Sequence, residues 1–151
     1  MGEVKCDSVK RKPLSAGVVL VRRSGEACNY LLLRAYNYWD FPKGLVASHE
    51  EPLQAACREV AEETGITEPD FGWGDEFRET SPYGRGKIAR YYVASTAQEH
   101  VCLPISPELG RPEHHEYRWV SAEEAWSLLV PRVQAVLGWA ARVTGCGAPA
   151  E

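Results

Sequence analysis

The chain has 151 residues, 44% of them hydrophobic, and a formal net charge of −4. This length suits one domain around a buried core, and the acidic balance without a long basic run disfavours broad capture of long nucleic acid. No apolar run is long enough to cross a membrane and no secretory signal is recognisable, so a cytoplasmic protein with no membrane partner is expected. The five cysteines (Cys6, Cys28, Cys57, Cys102 and Cys146) show no paired metal-ligand spacing. Their odd number favours reduced thiols.

In chain order, residues 1–12 are polar and basic and read as a flexible arm, followed by one domain over 13–144 and a flexible tail over 145–151. Residues 16–22 and 30–34 are apolar, β-rich runs around a Ser24-Gly25-Glu26 turn, and are expected to be strands. Residues 39–44 read as a tight connection into a helix. Residues 71–80 and 88–94 are expected to form a hairpin around the glycine-dense Pro82-Tyr83-Gly84-Arg85-Gly86. Residues 117–120 form a short strand, Ser121 caps a helix with Glu124 at the capping-box position, and Pro131 kinks or restarts it. Neither an internal repeat nor an interdomain linker is visible.

The densest signal lies in residues 44–66, GLVASHEEPLQAACREVAEETGI. Pro52 suits the first turn of a helix and Gly65 its end. On that helix Glu59, Glu62 and Glu63 stand at i, i+3 and i+4, so three carboxylates share one face. Leu53, Ala56, Cys57, Val60, Ala61 and Thr64 form a separate apolar arc, and Cys57 reads as core. Ala55 is small and expected to leave space above the acidic face. A solvated acidic face is the ordinary meaning of such a pattern. Against it stands the cost of crowding like charges without a cation, which hard divalent ions relieve through oxygen ligands.

The segment also fits the pattern G-x5-E-x7-R-E-U-x-E-E-x-G-U, U being aliphatic, through Gly44, Glu50, Arg58, Glu59, Val60, Glu62, Glu63, Gly65 and Ile66. The chain thus resembles the Nudix hydrolases, which cleave nucleoside diphosphates linked to another group. The resemblance spans residues 15–139 and implies an α/β fold, an α/β/α sandwich with a mixed sheet between helices. It implies Mg²⁺ as cofactor, with Mn²⁺ able to substitute. Glu59, Glu62 and Glu63 would be metal ligands, with one of them left open as the base, and the Gly44 carbonyl would ligate too. Glu50 and Arg58 would pair to orient the cluster. One departure is Ala47-Ser48-His49, where many members carry a Glu-Pro-Gly turn.

Three further patches resemble the asymmetric diadenosine tetraphosphate hydrolases within that family. Residues 111–119, RPEHHEYRW, match the segment that brings an extra glutamate to the metal, here Glu113, with Glu116 as the fallback and His114 and His115 as candidate phosphate contacts. An exposed acidic loop is the alternative. The Pro42-Lys43-Gly44 run places a cation where it can hold an additional phosphate. The loop from Glu79 to Lys87 offers Tyr83 to stack on a base, or to anchor the loop, and Arg85 and Lys87 for distal phosphates. Residues 98–109 match less well and are expected to reshape the pocket rim.

The expected activity is therefore Mg²⁺-dependent hydrolysis of a phosphoanhydride in a dinucleoside polyphosphate, most simply diadenosine tetraphosphate to ATP and AMP. The alternatives are an RNA 5′-pyrophosphohydrolase or a hydrolase of another nucleoside or inositol diphosphate, and a non-catalytic nucleotide sensor. The expected partner is a small nucleotide, with the chain a monomer or weak homo-oligomer.

Overall fold

A computed structural model describes residues 13–147. The elements are β1 (Leu14–Ser24), β2 (Ala27–Ala35), β3 (Tyr38–Asp40), β4 (Lys43–Leu45), α1 (Pro52–Thr64), β5 (Arg78–Glu79) and β6 (Ile88–Ser95). They continue with β7 (Ile105–Ser106), β8 (Arg111–Pro112), β9 (Glu116–Val120), α2 (Ala122–Leu128) and α3 (Pro131–Thr144).

Strand alternation builds the layers. In β1, Ala16, Val18 and Leu20 face α1, whereas Val19 and Val21 face α2 and α3. In β2, Leu31 and Leu33 join the first side, and Tyr30 and Leu32 the second. Helices cover both faces, which explains why these strands read as continuous apolar runs rather than alternating ones. The result is a mixed seven-stranded sheet, with β1 and β6 parallel and the other pairs antiparallel. This is the α/β/α sandwich expected from the sequence. A separate two-stranded hairpin, β7–β8, stands off the sheet.

β1 and β2 pair only beside their shared turn, Val21 opposite Tyr30 through Ser24 opposite Ala27. Beyond it they splay, and β3 and β4 fill the wedge: β3 pairs with β2, and Lys43–Leu45 pair with Ser15–Gly17 of β1. Residues 39–44, expected as a plain connection, thus run through two short strands. Gly17 permits this, since a Cβ there would strike the Pro42 carbonyl. The Val18 amide donates to that same carbonyl at 3.1 Å.

α1 starts at Pro52, after the Glu51 amide has donated to Gln54 Oε1 at 3.1 Å, and it ends at Gly65, whose φ of 77° is the left-handed cap. Its buried side is Ala55, Ala56, Val60 and Thr64. Two expectations change here: Ala55 is fully buried in the core rather than opening space above the carboxylates, and Cys57 is only half-buried.

Other boundaries also shift. Of residues 71–80 only Arg78 and Glu79 are a strand against β6, because a turn closed by the Gly74 amide on the Phe71 carbonyl interrupts the run. Ser121 Oγ accepts from the Glu124 amide at 3.1 Å, while the Glu124 carboxylate turns to Arg118. Pro131 restarts the chain as α3.

The thiol expectation is corrected at one pair. Cys28 and Cys146 form a disulfide, with Cα atoms 5.7 Å apart, inside the usual bridging range. Cys57 and Cys102 are free, and Cys6 lies outside the described residues. The disulfide also corrects the loose-tail expectation for Gly145 to Gly147: Cys146 is buried, and its carbonyl accepts from Tyr30 Oη at 2.7 Å. The expected arm over 1–12 and residues 148–151 lie outside the described residues. Among the described residues no helix is long and apolar enough to cross a membrane.

Candidate active site

Arg58 organises the start of the site. Its guanidinium forks onto Glu50, Nε to Oε2 at 2.6 Å and Nη2 to Oε1 at 2.9 Å. It also donates to the Leu45 carbonyl, to Glu59 Oε2 at 2.9 Å and to Glu62 Oε1 at 3.2 Å. One cation therefore ties the loop before α1 to two of its carboxylates. The Arg58 hydrogen bonds, helped by the Ala47 amide, hold the Glu50 carboxyl down at about 2. Glu50 is thus a fixed anion.

The three helix carboxylates line one cavity but differ in surroundings. Glu62 is the exposed member. Glu59 lies against Gly44, where a Cβ would overlap its carboxylate, and burial raises its pKa against the pull of Arg58. Glu63 is half-buried, and its Oε1 accepts from the Lys43 amide at 3.3 Å. Burial, reinforced by Glu113 and Glu59, pushes the Glu63 carboxyl up to about 9. An anion in that position is costly without a compensating cation.

Glu113 and His114 arrive from the segment after β8. Candidate donor atoms of Glu63, Glu113 and His114 all lie within 4.8 Å of one another. The donor set, carboxylate oxygens with one imidazole, suits a divalent ion, which would relieve the crowding of Glu63 with Glu113. Burial lowers the His114 pKa, which favours the neutral ring that a metal requires. His114, read from the sequence as a phosphate contact, thus sits among the donors. Glu116, the fallback ligand, is instead spent on Arg34 at 2.9 Å and Arg118 at 2.8 Å. His115 packs its ring edge-on against Tyr36.

These groups share a cavity of about 470 Å³ that residues 103–108 also line. The poorly matching stretch thus does form the rim.

The remaining sequence candidates form a second cluster. Lys43 directs its ammonium to Asp40, at 3.4 Å, rather than into the cavity. Burial works to lower its pKa, but Asp40, Tyr83 and Tyr38 outweigh it and hold the ammonium charged. Tyr83 does not line the carboxylate cavity. Arg132 of α3 lies 3.8 Å above its ring and also hydrogen-bonds Tyr38 Oη. Arg85 and Lys87 are exposed on the turn closed by the paired backbone bonds of Tyr83 and Lys87. Asp40 and Arg132 were not picked out from sequence. Asp40 accepts from the Phe41 amide at 2.7 Å and Tyr91 Oη at 2.8 Å while its other oxygen is buried beside Lys43. The Trp39-Asp40-Phe41-Pro42 run hinted at Asp40, but nothing local connects Arg132 to residue 83.

Comparison with known proteins agrees with this architecture. The family model described as the NUDIX domain matches residues 11–138, so the chain belongs to the Nudix family and is a Nudix hydrolase. Among curated relatives, the asymmetrical bis(5′-nucleosyl)-tetraphosphatase of Caenorhabditis elegans is 32% identical over 117 residues, covering 74% of this chain and 80% of the relative. The RNA pyrophosphohydrolase of Bartonella henselae is 29% identical over 129 residues, covering 76% of this chain and 74% of the relative. A crystal structure of a C. elegans Ap4A hydrolase binary complex superposes with a TM-score of 0.71 at 25% identity, over 88% of this chain and 98% of that one.

Proposed function

We propose that this Nudix hydrolase is a Mg²⁺-dependent enzyme that cleaves a dinucleoside polyphosphate, with diadenosine tetraphosphate giving ATP and AMP as the leading reaction. The observation that carries the reading is the convergence of Glu63, Glu113 and His114 beside Glu59 on a cavity large enough for a nucleotide moiety. A divalent ion bound there would offset phosphate charge and acidify a coordinated water.

The chain's own residues supply the rest. Glu59, Glu62, Glu63 and Glu113 hold the anionic donors, and Arg58 with Glu50 fixes the helix against its loop. Gly44 leaves the room that the Glu59 carboxylate takes. Lys43, charged and paired with Asp40, would have to turn from that partner to meet a further phosphate. Arg85 and Lys87, exposed on the turn after Tyr83, would meet distal phosphates, and Tyr83 would stack on a base only once Arg132 leaves its ring. A proton leaving the attacking water would pass to one of the helix glutamates.

A second reading, removal of pyrophosphate from an RNA 5′ end, is favoured by the likeness to RNA pyrophosphohydrolases. Purified protein with Mg²⁺ is offered diadenosine tetraphosphate, 5′-triphosphorylated RNA and nucleotide sugars, and the products are separated by chromatography. ATP with AMP from the first substrate supports the proposal. Two ADP, or brisk turnover of RNA alone, defeats it.

A further inference from the structure

The β7–β8 hairpin presents apolar side chains to a cavity otherwise lined by acids. Leu103, Pro104, Ile105 and Pro107 line it together with Glu59, Glu63 and Glu113. Ile105 is 66% exposed, unusual for an isoleucine, on a hairpin not hydrogen-bonded to the main sheet. The hairpin is nevertheless a built turn. Ser106 Oγ donates to Glu108 at 3.2 Å, the Gly110 amide donates to the Ser106 carbonyl at 2.8 Å, and Gly110 adopts a φ of 71°.

We propose that this hairpin seats the nucleoside, its base resting on Leu103, Pro104 and Ile105 while the attached phosphates lie at the carboxylates. The inference rests on the nucleotide substrate proposed above and says which wall recognises it. Charge selects the occupant. The cavity lining includes Glu108 at the hairpin end and neither lysine nor arginine, so a phosphate tail extending that way would meet an uncompensated anion. A base is neutral, flat and apolar on its faces, and its burial against the hairpin removes exposed isoleucine surface from water. Phosphates beyond the carboxylates then extend away from the hairpin.

Chain continuity strengthens the link. β8 ends at Pro112, and the next two residues are Glu113 and His114. The wall that touches the base and the groups that face the phosphates are therefore one segment, held at its root by Arg111 on Tyr36.

The test uses the full chain with Mg²⁺ and compares ADP with inorganic pyrophosphate by calorimetry, two diphosphates that differ by the nucleoside. The protein is expected to bind ADP about tenfold tighter than pyrophosphate, the scale of one buried apolar contact. Ile105→Ser, neutral and at an exposed position that spares the core, is expected to weaken ADP about five- to tenfold and pyrophosphate less than about twofold. Ile105→Leu should restore ADP binding. Equal loss for both ligands, unchanged ADP binding by the Ser variant, or no preference for ADP in the unmodified protein overturns the inference. These binding constants do not depend on which polyphosphate is cleaved, so failure of the substrate panel and failure of the hairpin inference are separate outcomes.

Discussion

The Glu59 carboxylate rests against the α-carbon of Gly44, in the space that any Cβ at that position would occupy. Gly44 is not among the glycines with positive φ, so its requirement is steric rather than conformational. β4 brings it there because β1 and β2 splay and leave a wedge for residues 38–45. Gly44→Ala should therefore fold, at a cost of about 1–3 kcal/mol for the overpacked contact. Displaced from its pocket, Glu59 should hold Mg²⁺ more weakly, and kcat should fall about tenfold or more, in line with losses seen when groups around a metal shift. Thermal melts and a Mg²⁺ titration of the rate check this; an Ala variant with unaltered Mg²⁺ dependence contradicts the steric account.

Arg58 makes a fork that lysine cannot reproduce. Its guanidinium reaches both oxygens of Glu50 and, through another nitrogen, Glu59 and Glu62. Arg58→Lys keeps the charge but loses the planar geometry, and activity is expected to drop about 10–100-fold. Because Arg58 acts by positioning, the apparent Mg²⁺ affinity should weaken in the same variant. A lysine variant with full activity would show that charge alone suffices.

Parts of this site were legible in the sequence because they are local. The spacing of Glu59, Glu62 and Glu63 is a property of one helix, and the pairing of Glu50 with Arg58 spans eight residues. The strands of the core were legible too, since helices cover both faces and make them continuously apolar. What escaped depends on long-range registry. β3 and β4 exist only because their neighbours diverge, and their lengths of three residues carry no periodic signal. Arg132 meets Tyr83 from another helix, and Cys28 finds Cys146 across 118 residues. Burial of Ala55 was missed because an alanine fits either side of a helix.

The Cys28–Cys146 bridge fastens the end of α3 to β2, and α3 is the helix that carries Arg132. Replacing both cysteines by serine is expected to destabilise the fold by about 2–4 kcal/mol, the usual worth of a bridge closing a long loop. Denaturant titration measures the loss. Peptide mapping without reductant should recover Cys28 and Cys146 in one linked fragment, with Cys57 and Cys102 free. Recovery of all four as free thiols from oxidised protein would refute the pairing.

Glu63 couples stability, pH and metal. Burial first, then Glu113 and Glu59, raise its carboxyl from an ordinary 4.5 to about 9, and Glu59 shifts in the same direction. Between those values the folded, metal-free protein keeps a proton that the unfolded chain has released. The unfolded state then binds fewer protons, so stability falls as pH rises through this window. The melting temperature without metal is expected to decline from about pH 5 to about pH 9, and saturating Mg²⁺ should flatten the decline by replacing the proton. Glu63→Gln removes the titrating group while keeping its shape. It should melt higher than the unmodified protein at alkaline pH without metal, and respond less to Mg²⁺. Its turnover should fall about a thousandfold, as for loss of a group acting in the transition state. Stability gained and activity lost through one oxygen-to-nitrogen exchange would mark Glu63 as a strained functional carboxylate. Identical pH slopes for the two proteins would remove that conclusion.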